Sequence, residues 1–221
     1  MMFNRINALK EKGFYPDSIL DIGAHHGYWA AQTSAIFPQS KYYLFEAINY
    51  SELNRLKGLE NVKVYNVLLN DRIAEVDWYE MRNTGDSIFK EKTHHFEHCA
   101  IIKRQSIDLD THIKNTQILQ DAKSIFIKID CQGAEIPILK GATEILQKTH
   151  FILLEIPLFG QYNEGVPTFL EHIQYMDSIG FIPYDIAGHH YMKGFNLQID
   201  MMFISKSHVL NKTVADELFV K

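Results

Sequence analysis

The residues whose types and spacing best suit chemistry are Asp21, Gly23, Gly27 and Glu46. The apolar run Ser18-Ile19-Leu20-Asp21-Ile22 leads into Gly23-Ala24-His25-His26-Gly27, and Glu46 ends the next apolar run, Tyr42-Tyr43-Leu44-Phe45. Glycine has no Cβ, so the chain can turn tightly there and approach a ligand closely. An acid at the end of the second strand of such a unit can accept hydrogen bonds from two ribose hydroxyls. The loop is not Gly-x-Gly-x-x-Gly, whose glycines bring backbone against a pyrophosphate. Asp21, ahead of the first glycine, would repel a phosphate and suits a cationic amino-acid end. A nucleoside that carries an amino acid meets both demands, and S-adenosylmethionine is such a molecule. Strand-turn-helix junctions also attract glycine for local reasons, and Glu46 tips the balance toward a ligand. In this scheme Asp21, Gly23, Ala24, His25 and Gly27 cradle the methionine end, and Glu46 with Ala47 meets the ribose. Asn70-Asp71, after the third strand, either reaches the adenine amino group or forms an Asx turn.

A second constellation is Ile127-Lys128-Ile129-Asp130-Cys131-Gln132-Gly133-Ala134-Glu135. Ligands in parallel sheets sit beyond the carboxyl ends of the strands. Asp130 is therefore aimed at the same crevice as Asp21 and Glu46, although Asp also serves as a helix N-cap. Glu135 suits the first turn of a helix, and Lys128 is a partly buried partner for a carboxylate. Glu155 ends a further apolar run, Phe151-Ile152-Leu153-Leu154, and completes a row of strand-end acids. A hydroxyl that attacks a methyl group must lose its proton, and a carboxylate or histidine can take it. Asp130, Glu155 and His26 are the candidates. A hard cation held by Asp130 and Glu155 would instead lower the hydroxyl's pKa. The sequence does not choose between these routes, and no metal site is expected. His94, His95, His98 and Cys99 are too closely spaced for tetrahedral zinc. His189-His190 falls in a late loop of undecided placement. Tyr28, Trp29, Trp78 and Tyr79 read mainly as packing.

These residues need elements to position them. The chain has 221 residues, 46% hydrophobic and 22% charged, which suits one core and a single domain over residues 1–221. Apolar runs alternate with helical patterns, the mark of βαβ units and a parallel sheet. Strands are expected near Ser18–Asp21, Tyr42–Glu46, Val62–Leu69, Ile125–Asp130 and Phe151–Ile156. Helices are expected near Tyr28–Phe37, Ser51–Leu59, Ala134–Gln147 and Pro167–Ile179, with a further amphipathic helix within residues 1–16. The end reads as an antiparallel pair, Phe181–Ile186 and Ile199–Ser205, joined by a loop that holds Gly188-His189-His190-Tyr191. Between Val76–Met81 and Ala100–Ile107, the polar segment Asn83–His98 breaks the rhythm. Unstructured stretches of this length inside a domain are often lids, here over the acceptor. No run of about 18 apolar residues suggests a membrane span. The net charge of −5 and pI near 6.1 disfavour nucleic acid as a partner. Cys99 and Cys131 lack metal or redox spacing, so a reduced, cytoplasmic chain is expected. The sequons Asn49-Tyr50-Ser51 and Asn211-Lys212-Thr213 are taken as chance.

In order along the chain, these motifs resemble the FkbM-type family of S-adenosylmethionine-dependent methyltransferases. Asp21-Ile22-Gly23-Ala24-His25-His26-Gly27 is similar to the family's Asp-(Ile/Val)-Gly-Ala-Asn-x-Gly, and Phe45-Glu46-Ala47 to its Phe-Glu-Pro. Asp86-Ser87-Ile88 is similar to its mid-chain serine motif, and Ser106-Ile107-Asp108-Leu109-Asp110 to its Leu-Asp before a helix. Ile127 to Glu135 is close to Ile-Lys-Ile-Asp-Val-Glu-Gly-(Ala/Tyr)-Glu, with Leu139-Lys140-Gly141-Ala142 following. His25, Ala47 and Gln132 depart from the usual Asn, Pro and Glu. The resemblance implies a Rossmann-like class I methyltransferase: α/β, with a seven-stranded, mostly parallel sheet, helices on both faces and an antiparallel C-terminal strand pair. It also implies O-methylation of hydroxyls, often on sugars or natural products.

The resulting expectation is a methyltransferase that moves a methyl from S-adenosylmethionine to a hydroxyl of a small acceptor, a sugar or nucleotide-linked sugar. Asp130 would orient or deprotonate that hydroxyl, with Glu155 or His26. Other classes stay open at this point: a phosphate-type or carboxyl acceptor, a nicotinamide oxidoreductase, and a non-catalytic nucleoside-binding protein on the same fold. The acceptor, any metal need and homo-oligomerisation are not decided by the sequence.

Overall fold

Residues 1–82, 84–159 and 163–211 are described in the computed structural model of the chain. Helix α1 (Met2–Glu11) precedes β1 (Ser18–Ile22), α2 (Tyr28–Ile36), β2 (Lys41–Glu46), α3 (Ser51–Asn54) and β3 (Val62–Asn66). Then come β4 (Leu68–Leu69), β5 (Ala74–Glu80), β6 (Ala100–Ile107), α4 (Leu109–Thr116) and β7 (Ile125–Ile129). The chain continues through α5 (Glu135–Lys140), β8 (Thr149–Pro157), α6 (Phe169–Ser178), β9 (Phe181–Met192) and β10 (Phe195–Ser205).

Seven strands form one sheet in the order β3-β2-β1-β7-β8-β10-β9. All neighbours are parallel except β10, which runs antiparallel to both β8 and β9. The chain leaves β1 toward β2 on one side and later returns to β7 on the other. That reversal opens a crevice at the carboxyl ends of β1 and β7, the usual ligand position in such sheets. Side-chain alternation builds the two faces. Leu20, Ile22, Ile125, Ile127 and Ile129 enter one apolar layer with residues of α4, α5 and α6. Ile19 and Phe126 enter the other with Ile6, Leu9 and Trp29 of α1 and α2. On β1 and β7, Asp21 and Lys128 lie opposite each other in register.

The structure departs from the sequence expectation in four places. The single strand expected over Val62–Leu69 divides at Val67, whose N–H turns to the Glu46 carbonyl. Leu68–Leu69 then joins a second sheet, ordered β4-β6-β5, which Ala47, Leu68 and Trp78 pack against the main one. The helix expected over Ser51–Leu59 stops at Asn54 and continues as turns. The helix expected over Ala134–Gln147 stops at Lys140, because Asp110 on α4 accepts from the backbone N–H groups of Glu144 and Ile145. A short 3-10 turn (Ile145–Lys148) follows. Gly188 to Tyr191 is strand rather than loop, for β9 and β10 pair out to a tight turn at Lys193-Gly194, both at positive φ. A two-residue turn of that hand matches the twist of the strands it joins. Among the described residues no helix is long and apolar enough to cross a membrane. Asn83, at the head of the expected lid, and Lys212-Thr213 of the second sequon lie outside the described residues.

Candidate active site

A cavity of about 450 Å³ opens at the carboxyl ends of β1, β2, β7 and β8. Its first wall is the turn after β1. Gly23 sits at φ +73°, and a Cβ there would meet the Asp130 carbonyl oxygen at 2.0 Å. Only glycine lets these two loops approach so closely. His25 also adopts positive φ, +48°, a region where His joins Asn and Asp as tolerated side chains. This accounts for His at a position where the resembling family carries Asn. The His25 N–H donates to Glu46 Oε2 at 2.7 Å, and the Ile48 N–H donates to Glu46 Oε1 at 2.9 Å. The carboxylate is thereby fixed at the cavity wall with lone pairs to spare. Burial pushes its pKa up, against the pull of those two N–H groups.

Beneath this wall lies a buried charge cluster. Lys128 Nζ is 2.8 Å from the Gly23 carbonyl, 3.2 Å from Asp21 Oδ1 and 3.6 Å from Asp130 Oδ2. Burial works to lower the Lys128 ammonium, but Asp21 and Asp130 hold it above the ordinary lysine range. Asp21 is completely buried and does not border the cavity. It braces Lys128, which in turn holds the cofactor-loop carbonyl. Asp21, expected at a ligand's amino-acid end, is thus placed behind the cavity wall against Lys128, while Gly23 of the same loop borders the cavity.

At the far end of the cavity stand Asp130, Gln132, Glu155, His190 and Gln198. Gln132 donates to Asp130 Oδ1 at 3.2 Å and to Glu155 Oε2 at 2.9 Å. Gln198 donates to the same Glu155 oxygen at 2.9 Å. An acid at position 132 would set a third carboxylate against those two, whereas the amide ties them together. Burial, then Asp130, Glu135 and Asp200, push the Glu155 carboxyl well above its usual range. His190 Nε2 lies 2.8 Å from Asp200 Oδ2, and that bond raises the imidazole pKa.

The remaining expected site residues divide by position. Gly23, His25, Glu46, Ala47, Asp130 and Glu155 border the cavity. Ala24 is buried, and Gly27 is the N-cap of α2. His26 is exposed; its ring stacks on His25 at 3.7 Å, and it is not among the residues that border the cavity. The imidazole brought to them is His190, delivered by β9. Asn70 and Asp71 also stand away from the cavity, since the Asn70 N–H bonds the Ile107 carbonyl and draws the chain onto β6. The wall facing an adenine would instead be Leu68, Leu69 and Ile138. From the segment expected to be a lid, Thr84, Asp86 and Ile88 reach the cavity beside Trp78. Ser87 Oγ fastens that segment to the carbonyls of Cys131 and Gln132 at 3.3 and 3.0 Å. The side chain of His95 lies outside the described residues. The His190–Asp200 pair had no local signal, because ten residues of hairpin separate its members.

The family described as methyltransferase FkbM domain matches residues 21–183. The chain is 28% identical over 165 residues to the 2-O-methyltransferase NoeI of Sinorhizobium fredii, covering 68% of this chain and 67% of that protein. It is similar in fold to the methyltransferase FkbM of Methylobacillus flagellatus KT, with TM-score 0.53 and 15% identity, over 86% of this chain. It spans only 43% of that solved chain. It is also similar in fold to the 1,6-didemethyltoxoflavin-N1-methyltransferase of Burkholderia thailandensis, solved with 1,6-didemethyltoxoflavin and S-adenosylhomocysteine. There the TM-score is 0.50 at 10% identity, over 93% of this chain and 79% of that one.

Proposed function

Because the chain belongs to the methyltransferase FkbM domain family, we propose that it moves a methyl group from S-adenosylmethionine to a hydroxyl of a small, sugar-containing acceptor. One observation carries this assignment: a single cavity holds a fixed acid, Glu46, at one end and the Asp130–Glu155 pair at the other. Glu46 would receive the ribose hydroxyls, with Leu68, Leu69 and Ile138 against the adenine. The amino-acid end would lie along the backbone of the Gly23 loop, toward Asp130. The printed activity of the relative NoeI, 2-O-methylation, favours oxygen as the atom methylated.

In this reaction the acceptor oxygen forms a bond to the methyl carbon as the carbon–sulfur bond breaks, and S-adenosylhomocysteine leaves. The hydroxyl proton passes to a carboxylate. Asp130, partly exposed to the cavity, is the group we assign to take it or to orient the hydroxyl, with Glu155 beside it. Most of the rate gain would come from holding oxygen, carbon and sulfur in line. A phosphate-type or carboxyl acceptor would call for cations at the cavity. Lys128 is buried among carboxylates, and Arg104 donates to the Ala47 carbonyl over the Trp78 ring. The two free cysteines support a reduced compartment such as the cytoplasm.

Calorimetric titration with S-adenosylhomocysteine, run beside NAD, tests the cofactor. Binding of the former alone justifies a screen of nucleotide sugars for transfer of labelled methyl. If a folded sample binds neither, the cofactor assignment falls.

A further inference from the structure

Three adjacent strands bring one side chain each to the acceptor end of the cavity: Glu155 of β8, His190 of β9 and Asp200 of β10. The register sets this meeting, with Asp200 opposite Glu155 on one side and Gly188 on the other, and Gln198 opposite His190. His190 Nε2 lies 2.8 Å from Asp200 Oδ2 and 3.7 Å from Glu155 Oε1, and one donor atom from each residue lies within 4.8 Å of the others. Ions bound by nitrogen and oxygen at about 2.1 Å place neighbouring ligands roughly 3 Å apart. The His190–Asp200 separation already matches that, and Glu155 would have to close in from 3.7 Å on His190, within the 4.8 Å that spans the three donors.

Three further features go beyond a chance meeting of acids. Glu155 and Asp200 are nine-tenths buried, and buried charges are normally paired or bound to a metal. The nearby cation, Lys128, is already shared by Asp21 and Asp130, and among the described residues His190 is the basic side chain that meets both Glu155 and Asp200. Secondly, both amide donors, Gln132 and Gln198, go to Glu155 Oε2. Oε1 accepts no hydrogen bond among the described residues and points toward His190. Metal-binding carboxylates are held in this manner by outer hydrogen bonds. Thirdly, Gly188 makes room: a Cβ there would stand 2.1 Å from Asp200 Oδ2. Two of the three donor residues, Glu155 and His190, border the cavity together with Gln198.

We propose that Glu155, His190 and Asp200 form a site for one divalent transition-metal ion of the manganese or iron(II) type. Two carboxylates and one imidazole suit such ions better than an all-oxygen set would. Positions not filled by protein face the cavity. The function of the site rests on the methyltransferase assignment: an acceptor hydroxyl on the ion would become more acidic and lose its proton to Asp130 before attack. A sugar with neighbouring hydroxyls could fill two positions at once, so vicinal diols are the acceptors this site would favour.

The test is titration of the full chain with Mn²⁺, read by calorimetry and by loss of the free-ion paramagnetic signal. S-adenosylhomocysteine binding is measured in parallel. One ion per chain is expected, and Gln198→Leu should weaken it by about 10–100-fold. Asp200→Asn and His190→Gln should lose it further while S-adenosylhomocysteine still binds. His190 is half exposed, so its variant remains informative if the Asp200 variant fails to fold. A sample that binds S-adenosylhomocysteine but takes up no Mn²⁺ overturns the metal site and leaves His190–Asp200 an ordinary hydrogen-bonded pair. Equal Mn²⁺ affinity in the His190 and Asp200 variants overturns it too. Mn²⁺ binding without S-adenosylhomocysteine binding keeps the site and removes the cofactor assignment instead.

Discussion

Lys128→Met should be among the most damaging single changes in this protein. It strips the ammonium from between Asp21 Oδ1, Asp130 Oδ2 and the Gly23 carbonyl. Asp130 is partly exposed and can be rehydrated, but Asp21 is completely buried. Removing one partner of a buried ion pair costs about 3–5 kcal/mol, because the survivor is an uncompensated charge. That is a large part of the roughly 5–15 kcal/mol by which a domain is stable. Replacing both partners by apolar groups is often neutral or stabilising, so Asp21→Leu with Lys128→Met should recover most of the loss. Urea unfolding at neutral pH, followed by circular dichroism, reads both steps. S-adenosylhomocysteine affinity should fall in both variants, for neither holds the Gly23 carbonyl. A Lys128→Met protein within about 1 kcal/mol of the parent, against the expected buried-pair cost, would refute the account. So would a double variant less stable than the single one.

Other consequences can be checked with the same purified protein. Gly23→Ala puts a Cβ 2.0 Å from the Asp130 carbonyl at φ +73°; S-adenosylhomocysteine binding should be abolished by calorimetry, and strain of about 1–3 kcal/mol should appear in urea unfolding. Glu46→Gln replaces one of two oxygens that accept from His25 and Ile48 with a donor. Loss of charged hydrogen bonds worth about 1.5–3 kcal/mol should weaken S-adenosylhomocysteine on the order of 10–100-fold. Burial pushes the Glu135 carboxyl up to about 7 from 4.5. The folded state then keeps its proton while the unfolded state has lost it, so stability is full below pH 4.5 and falls as pH rises to 7. The loss is about 3 kcal/mol at most, and Glu135→Gln should flatten that part of the profile when urea midpoints are compared at pH 5 and pH 8.

Much of this protein was legible as sequence because its strands announce themselves locally. Apolar runs ending in Asp21, Glu46, Asp130 and Glu155, each followed by a turn or helix signal, sufficed for the sheet, the crevice and its acidic character. Parallel pairing puts every strand's carboxyl end on one edge, so acids at those ends converge without knowledge of register. Gly23 could be assigned a close approach only together with Glu46, since strand-turn-helix junctions attract glycine for local reasons as well.

What the sequence could not supply was any relation that depends on register between distant segments. Asp21 read as a ligand contact, yet pairing of β1 with β7 sets it opposite Lys128 and seals it below the cavity. Asn70-Asp71 read as either an adenine contact or an Asx turn, and the pairing of β4 with β6 leaves both residues off the cavity wall. Glu155, His190 and Asp200 meet through two antiparallel pairings and a glycine that yields its space to a carboxylate. Burial and pairing energies belong to such contacts rather than to residue types. The strand ends therefore announced where chemistry could occur, and only the tertiary structure decided which acids face a ligand and which hold the fold in place.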